Sequence, residues 1–321
     1  MIDRIKMEVA GVSESYVLAV LDDAITKYDE ETGVIRGALK NIQISYHPKG
    51  GILKFDGSLH KFAHGNNYCR YTYSEVVETL GVFEKIFDII PLDAYKITGI
   101  EIGVNIQMSE APMKYIKTIK SYGSHDFIPM TPRGVKILGK RCKMSEYEIK
   151  FYDKTADYIA EKRIKVEDRD IVPKNILRYE VRFSRKQLIN KGFPNPTVAN
   201  LLKREYVIFC VWLLRSIMQE IVFFDPSADF SKIPHKDDKE LDSKVKEFIF
   251  VLSDGYDEYL DYLRERFGEG EAKNAGRRRD EFIEKMKPLM LGKYVNELTD
   301  KFAKEISTVH NYKRAIRSKK T

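Results

Sequence analysis

Three stretches of the chain alternate between apolar and polar residues, and this period of two constrains the fold more than any other feature of the sequence. The stretch 147–152, Tyr-Glu-Ile-Lys-Phe-Tyr, has an aromatic or aliphatic side chain at each odd position and a carboxylate, an amine and a phenol at the even ones. The stretches 97–106 and 177–183 repeat the pattern. Successive side chains of a strand point to opposite faces, so we predict three strands that share one sheet and one apolar core. The opposite face would then carry a group of charged and phenolic side chains: Glu101, Lys150, Tyr152, Arg178, Glu180 and Arg182.

The fold class follows from how these strands are embedded in the chain. Stretches with helical spacing lie between the strands, including a helix predicted over 111–122, whereas the polar segment 58–67 is predicted to be irregular. A Gly-Gly turn between two apolar runs near residue 50 predicts a hairpin, and hairpins favour antiparallel pairing. From about residue 197 the spacing is helical to the end. We therefore predict an α+β protein, with a largely antiparallel sheet that carries helices on one face in residues 1–200 and a helical, net-basic region in residues 201–321.

The composition is that of a soluble globular protein. Of the 321 residues, 43% are hydrophobic and 32% are charged. The most apolar run, 206–224, is interrupted by Arg215, Gln219 and Glu220, so we predict a buried helix and no membrane partner. The first residues lack the apolar core and cleavage site of a signal peptide. The three cysteines are too widely spaced for a disulfide framework or a zinc motif, and a reducing cytoplasm is the expected setting.

The net positive charge lies in the last sixth of the chain. Residues 271–321 hold 14 Lys and Arg against 7 Asp and Glu, whereas the remaining 270 residues hold 41 of each sign. An excess of this kind suits contact with a polyanion, and a solvated helix surface followed by a basic tail explains it equally well. Arg277, Arg278 and the basic residues from Lys313 to Lys320 are therefore either phosphate contacts or solvated side chains.

Several catalytic motifs are missing, and their absence narrows the function. The chain has no phosphate-binding loop with Lys-Ser or Lys-Thr, no dinucleotide fingerprint, no Gly-x-Ser-x-Gly and no His-Glu-x-x-His. It also lacks the His-hydrophobic-His pair that binds metal in many nicking enzymes. His60 and His64 are four residues apart, but they lie in the segment predicted to be irregular, where local hydrogen bonding is the commoner role.

Several short segments between residues 40 and 200 carry a further signal, because they occur in a fixed order. They are Ser58-Leu59-His60-Lys61 with Gly65-Asn66-Asn67, Ile97-Thr98-Gly99-Ile100-Glu101, Phe151-Tyr152-Asp153-Lys154, Leu177-Arg178-Tyr179-Glu180-Val181-Arg182 and Lys191-Gly192-Phe193-Pro194, after an opening Met1-Ile2-Asp3. In this order they resemble segments of rolling-circle replication initiators, in particular the gene II proteins of filamentous phages and the related plasmid replication initiation factors. Gly99 and Glu101 depart from the family pattern, which has arginine and aspartate at these places.

The resemblance implies a DNA nicking and religating enzyme. In such enzymes a tyrosine attacks a backbone phosphate at the origin, leaves a 3′-hydroxyl primer and keeps the 5′-phosphate as a phosphotyrosine. By position in the motif that tyrosine is Tyr152, and Tyr158 is the competing candidate. The implied partners are single-stranded or supercoiled origin DNA and a host helicase and polymerase, in the cytoplasm of a bacterial cell that carries a phage or plasmid.

The polar face offers the groups that this chemistry needs. A phenol is a weak nucleophile at neutral pH, and a divalent cation assists it by polarising the phosphoryl oxygens. Mg²⁺ or Mn²⁺ prefers carboxylates, so Glu101 and Glu180 are the predicted metal ligands, with Asn105, His60 or His64 as candidates to complete the shell. Further residues are predicted to stabilise the phosphate or to contact DNA: Lys154, Lys150, Arg178, Arg182, Lys61 and Asn67.

Two alternatives stay open at this point. Glu101 and Glu180 lie among arginines in the predicted sheet and could form structural ion pairs rather than a metal site. The whole chain could also be a DNA-binding replication or transcription regulator without covalent chemistry, or a relaxase-like or transposase-like nickase of a mobile element. A covalent protein–DNA adduct separates the enzymes from the regulator.

Overall fold

The computed structural model describes residues 2–21, 24–131, 136–162, 172–193, 195–252 and 254–317, and the side chains at 254–255 and 308–317 are outside this description. Met1 and Pro194, which belong to two of the segments compared above, and the basic residues from Lys313 to Lys320 therefore lie outside the described side chains. No helix within the described ranges combines the length and the apolarity that a bilayer span requires.

Within the described residues, ten strands form one large sheet and three short strands form a second. In chain order the strands are β1 (Ile2–Val9), β2 (Ile25–Tyr28), β3 (Ile35–Leu39), β4 (Ile42–His47), β5 (Ile52–Ser58), β6 (Lys96–Gln107), β7 (Ile119–Tyr122), β8 (His125–Asp126), β9 (Ile128–Met130), β10 (Gly139–Lys143), β11 (Tyr147–Asp153), β12 (Ile176–Ser184) and β13 (Ile221–Phe223). The large sheet has the order β2-β3-β4-β5-β1-β6-β12-β11-β10-β9, and the small one has the order β13-β7-β8. The pairings described within these sheets are antiparallel, which confirms the predicted α+β class with a large antiparallel sheet.

Twelve helices are seen within the described residues. They are α1 (Glu14–Leu21), α2 (Leu59–His64), α3 (Tyr73–Ile86), α4 (Pro112–Ile116), α5 (Lys154–Lys162), α6 (Arg185–Asn190), α7 (Val198–Leu201), α8 (Arg204–Glu220), α9 (Asp238–Val251), α10 (Asp254–Phe267), α11 (Glu269–Met286) and α12 (Lys293–Arg317), with 3₁₀ turns at Phe230–Lys232 and Lys287–Met290. The predicted helical C-terminal region is thus confirmed from α7 onward.

The three alternating stretches form neighbouring strands, as predicted. Strand β12 lies between β6 and β11, and the register aligns Glu180 with Gly103 on one side and with Lys150 on the other. Apart from the partly buried Tyr147, the apolar residues of these strands lie in the buried core to which helices α8 and α12 also contribute. The ring of Tyr179, for example, packs edge-on at 5.5 Å from Phe302 of α12, and its hydroxyl donates to the carbonyl of Leu214 in α8 over 3.0 Å. The polar residues consequently share the opposite face.

The C-terminal helices fall into two groups by what they pack against. Helices α8 and α12 contribute Leu213, Leu298 and Phe302 to the core beneath the large sheet. Helices α9, α10 and α11 instead surround a second apolar cluster that includes Phe248 and Ile283. The division of the chain at residues 200 and 201 stays a prediction.

The structure shows that two segments predicted to be helical each contain a strand. Residues 111–122 were expected to form one helix, but α4 ends at Ile116 and β7 follows it. The run 206–224 was expected to be helical throughout, but its last residues form β13, which pairs with β7. The residue spacing in short apolar runs does not distinguish a helix from a strand. The pairing of β7 with β13 provides backbone hydrogen bonds that stabilise both strands.

The polar segment 58–67 is also more regular than predicted. Ser58 caps α2, since its Oγ accepts a hydrogen bond from the backbone N–H of Lys61 over 3.0 Å. Gly65 ends the helix with a φ of 72°, a left-handed conformation that glycine adopts without strain. The six residues of α2 therefore place His60 and His64 on one side of a helical turn.

Candidate functional site

The polar face of the central strands gathers charged side chains from four strands. Period-two alternation brings them to the same side of β6, β11 and β12, next to β1. The residues that form hydrogen bonds or ion pairs there are Asp3, Glu101, Asn105, Glu148, Lys150, Tyr152, Arg178, Glu180 and Arg182. The predicted residues Glu101, Lys150, Tyr152, Arg178, Glu180 and Arg182 are thus brought together, and Asp3 joins them.

Three carboxylates converge within this group. Asp3, Glu101 and Glu180 each direct one oxygen to a common region, and these oxygens all lie within 4.8 Å of one another. Asp3 and Glu180 are buried, and Glu101 is only 9% exposed. We call these three residues the carboxylate cluster. Oxygen ligands of this kind suit Mg²⁺ or Mn²⁺, so the residues present fit such an ion.

Asp3 reaches the cluster because β1 contains a bulge. Ile2 pairs with Ile102 and Ile5 pairs with Ile100, so β1 advances three residues while β6 advances two. Strict alternation from the buried Ile5 would have turned Asp3 toward the apolar core, and the extra residue turns it to the polar face instead. A bulge cannot be recognised from the spacing of residues in the sequence. The sequence pointed to Asp3 only through its position in the opening segment of the resemblance.

Asp3 is held by three donors. Nη2 of Arg178 lies 2.7 Å from its Oδ2, Nδ2 of Asn67 donates to the same oxygen over 3.0 Å, and the hydroxyl of Ser58 donates to Oδ1. Burial by itself would raise the pKa of Asp3, but the charge of Arg178 and the hydrogen bond from Ser58 together lower it to about 2. Asp3 is therefore ionised throughout the neutral range.

Glu180 is the centre of the network. Its Oε1 accepts a hydrogen bond from Nζ of Lys150 over 3.0 Å, and its Oε2 accepts from Nε of Arg178 over 2.7 Å. Burial opposes ionisation, but the charges of Arg178 and Lys150 outweigh it and lower the pKa of Glu180. A carboxylate with these partners is ionised and rigidly oriented.

Glu101 lies at the edge of the network and is less well compensated. Nζ of Lys150 lies 3.6 Å and Nε of Arg182 lies 3.8 Å from its Oε1, which are long contacts for ion pairs. Burial and the nearby charge of Glu180 raise the pKa of Glu101. Glu101 therefore forms the ion pairs that were the alternative to a metal site. Because these contacts are long, its negative charge is only partly compensated and attracts a further cation.

The hydroxyl of Tyr152 belongs to the same network. It donates to Oε2 of Glu180 over 3.1 Å, and the residue is 7% exposed. Burial, and then the negative charge of Glu180, raise the pKa of Tyr152 well above its usual range. Lys154 is buried beside it, with Nζ 5.5 Å from the centre of the ring and 3.0 Å from Oδ2 of Asp157. The phenol is thus protonated and aimed at a carboxylate.

Tyr158, the competing tyrosine, has a different environment. It lies on α5, is half-buried, and packs edge-on against Tyr68 with ring centroids 4.6 Å apart. Tyr152 is therefore the tyrosine that the fold joins to the carboxylate cluster.

A loop and two helices cover part of the polar face. Nδ2 of Asn105 donates to the carbonyls of Asn67 and Tyr68, which ties the loop 65–71 down onto β6. Nζ of Lys61 in α2 lies 2.6 Å from Oε1 of Glu161 in α5. Lys61 and Asn67, which were predicted to contact DNA, both make intramolecular contacts here, and Asn67 is only 5% exposed.

A cavity of about 290 Å³ opens beside the cluster. Ile2 of β1 and Gly103 and Val104 of β6 are among the residues that line it. The lining includes Asp3, His60, Cys69, Asn105 and Arg178 together with aromatic residues of the segment 68–73. Tyr152 is not part of this lining.

The remaining predicted residues lie apart from the cluster. His60 and His64 group with Cys69 rather than with the carboxylates. Arg277 and Arg278 are exposed on α11, which packs in the second apolar cluster, and Nε of Arg277 lies 3.9 Å from Oε1 of Glu281. The structure thus places these two arginines at the surface without relating them to the polar face.

Two comparisons with known proteins found no relative of this chain. No protein-family model matches the sequence, and no curated protein matches it.

Proposed function

We propose that the protein is a metal-dependent DNA nicking and strand-transfer enzyme, in which the hydroxyl of Tyr152 is the nucleophile. The observation that supports this most is the hydrogen bond of 3.1 Å between that hydroxyl and Glu180, a member of the carboxylate cluster. A phenol joined to three converging carboxylates suits a metal-assisted attack of tyrosine on a phosphodiester. The resemblance of the ordered segments to rolling-circle initiators suggests origin DNA as the substrate.

The proposed reaction forms one bond and breaks another at the same phosphorus atom. The phenol oxygen of Tyr152 attacks phosphorus, and the bond between phosphorus and the 3′ oxygen breaks. Oε2 of Glu180 is positioned to receive the phenolic proton. The departing 3′ oxygen takes up a proton and becomes the hydroxyl primer, while the 5′ side remains on Tyr152. Religation is the same reaction in reverse.

Asp3, Glu101 and Glu180 would hold the divalent cation. When bound, Mg²⁺ or Mn²⁺ supplies charge that stabilises the oxygens of the transferring phosphate. Lys150 and Arg178 already lie beside the carboxylates, and they are positioned to offset the phosphate charge as it approaches. Arg182, whose side chain is 43% exposed, is the cation at the rim that solvent and DNA can reach.

The proposal requires a change in the cover of the site. Tyr152 is 7% exposed, so a phosphate can reach its hydroxyl only if the loop 65–71 or α5 moves away. The tie between Lys61 and Glu161 is a partly exposed ion pair, and such pairs contribute about 1 kcal/mol or less. Breaking this ion pair, so that α5 moves away from α2, therefore costs little free energy.

A covalent adduct is the direct test. We expect the purified protein to form a band of reduced mobility with labelled single-stranded origin DNA in Mn²⁺, and to form none in EDTA. Tyr152→Phe keeps the ring and should abolish the adduct, whereas Tyr158→Phe is the matched control and should retain it. An adduct that survives Tyr152→Phe and is lost in Tyr158→Phe would move the nucleophile to α5.

A second candidate function is DNA binding without covalent chemistry. Lys150 and Arg178 compensate Asp3 and Glu180 without any added cation, and burial raises the pKa of Tyr152, which opposes its attack. These contacts also suit a purely structural ion network. Tight, salt-sensitive DNA binding with no adduct in Mg²⁺ or Mn²⁺ would favour this function.

A further inference from the structure

A second group of metal-ligating side chains lies next to the carboxylate cluster, and we propose that it is a zinc site. Its members are His60 and His64 of α2 and Cys69 of the following loop, and Glu75 of α3 contacts His64. The spacing of these residues matches no zinc motif, because the fold rather than the local sequence brings them together. The site is separate from the proposed nicking reaction and does not depend on it.

The ligand atoms are already close to the distances that zinc imposes. One atom each of His60, His64 and Cys69 lies within 4.8 Å of the other two. Nε2 of His60 and Sγ of Cys69 are 3.1 Å apart. In a tetrahedral site with Zn–N of about 2.05 Å and Zn–S of about 2.3 Å, these atoms would be roughly 3.5 Å apart. This pair of atoms is therefore within a few tenths of an ångström of the separation that zinc requires.

Glu75 supports His64 from the first turn of α3. Its Oε1 lies 2.9 Å from Nε2 of His64. Its Oε2 accepts a hydrogen bond from the backbone N–H of Thr72 over 2.6 Å, as part of the capping box of α3. The carboxylate is thus oriented by the helix terminus with one oxygen directed toward His64. A carboxylate bonded to one nitrogen of a histidine fixes the ring so that the other nitrogen can ligate a metal.

The fold holds two of the ligands before any metal binds. The ring of His60 is stacked on Tyr71, with centroids 4.7 Å apart and an interplanar angle of 9°. His60 is itself only 3% exposed, so its ring has little freedom to turn away. The helical turn places His64 four residues later on the same side.

Zinc binding would change one protonation state. Cysteine ligates zinc as a thiolate, whereas a free cysteine sulfur is largely a thiol at neutral pH. On binding, the thiol proton passes to solvent and the thiolate ligates the ion. No oxidation or reduction takes part.

The location gives the site a structural role. A bound ion would join α2 to the loop 65–71, and this loop is bonded to Asn105 beneath it. Three protein ligands leave the fourth position of a tetrahedral zinc to water. Zinc would thus fix the cover of the carboxylate cluster along its α2 side.

Cobalt replaces zinc as a spectroscopic probe. We expect the protein, prepared with a reductant and dialysed, to retain one Zn²⁺ per chain and, after exchange, to bind one Co²⁺ with a thiolate-to-cobalt charge-transfer band. Cys69→Ser should remove that band, and His64→Ala should lower zinc affinity at least tenfold. Cys142→Ser and His125→Ala alter a thiol and an imidazole outside the group, and both should leave the band and the affinity unchanged.

Two outcomes would overturn the proposal. One is zinc below one equivalent per chain. The other is a cobalt spectrum that Cys69→Ser leaves unaltered. Glu101→Gln should keep the zinc, which separates this site from the carboxylate cluster, and a zinc loss in that variant would assign the ion to the other group. His64 is exposed, so His64→Ala keeps the test valid if Cys69→Ser does not fold.

Discussion

Two regions of the molecule carry clustered positive charge, and they hold it in different ways. Arg178 is 3% exposed and lies 2.7 Å from both Asp3 and Glu180, whereas the side chain of Arg277 is 72% exposed and has one ion pair at 3.9 Å. Buried charges are retained only with good partners, because desolvation costs several kcal/mol per ion. Exposed charges cost little to place and contribute little to stability.

The comparison shows that the net positive charge and the carboxylate cluster lie in separate parts of this chain. The excess of +7 belongs to residues 271–321, yet the carboxylate cluster lies among residues whose formal charges cancel. In the polar face the signs alternate at contact distance, which creates strong local fields without a net charge. In the C-terminal helices the same kind of side chain is exposed, and contact with a polyanion stays a prediction there.

The largest expected effect comes from breaking the buried network. Arg178→Met removes the partner that Asp3 and Glu180 share and leaves two buried carboxylates poorly compensated. We expect a loss of about 3–5 kcal/mol in the free energy of unfolding, measured by urea denaturation. Arg182→Met is the matched control at the exposed rim, and its effect should stay within about 0.5 kcal/mol. Equal effects of the two changes would contradict the contrast between buried and exposed cations.

An intermediate effect is expected from acid. The pKa of Asp3 is lowered to about 2 in the folded protein, against an unfolded value of about 3.9. A depressed carboxyl pKa stabilises the fold above the unfolded value, and this contribution disappears as pH falls from about 4 through about 2. It corresponds to about 2 kcal/mol.

The measurement compares the pH dependence of unfolding in the natural protein and in Asp3→Asn. The variant is expected to be less stable at neutral pH and to lose less stability between pH 4 and pH 2. Parallel pH profiles for the two proteins would show that Asp3 is not held as an ion by Arg178.

The smallest effect on stability is expected at the exposed cations. The double change Arg277→Ala and Arg278→Ala should alter the free energy of unfolding by less than about 0.5 kcal/mol. If both arginines neutralise phosphates, the slope of log affinity against log salt for single-stranded DNA should fall by about 1.4. Lys186→Ala, a change of an exposed cation near the sheet, is the control and should leave the slope unaltered. A slope that is unchanged in the double variant would leave the C-terminal arginines as solvated side chains.

The alternation of the central strands was sufficient to predict much of the candidate site. Glu101, Lys150, Tyr152, Arg178 and Glu180 share one face because period two fixes the side to which each side chain points, whatever the order of the strands. The sequence could not rank Tyr152 against Tyr158 on the residues alone. That distinction required the register of β11 against β12, which brings Tyr152 within 3.1 Å of Glu180.

Other parts of the site needed the folded chain. Asp3 reaches the cluster through a bulge in β1, and a bulge is set by pairing with β6 rather than by the local sequence. The strands β7 and β13 are about 100 residues apart and were both expected to be helical. Both segments are too short for residue spacing to distinguish a helix from a strand, and their pairing with each other favours the strand.

The sequence by itself determined the α+β class, the polar face of the sheet and the concentration of positive charge at the end of the chain. These depend on residue type and on spacing within one element, which are local quantities. Only the tertiary structure decided which carboxylates meet, which tyrosine touches them, and that His60, His64 and Cys69 lie together. These depend on register, on bulges and on contacts between distant segments, and their free energies arise only when the chain is folded.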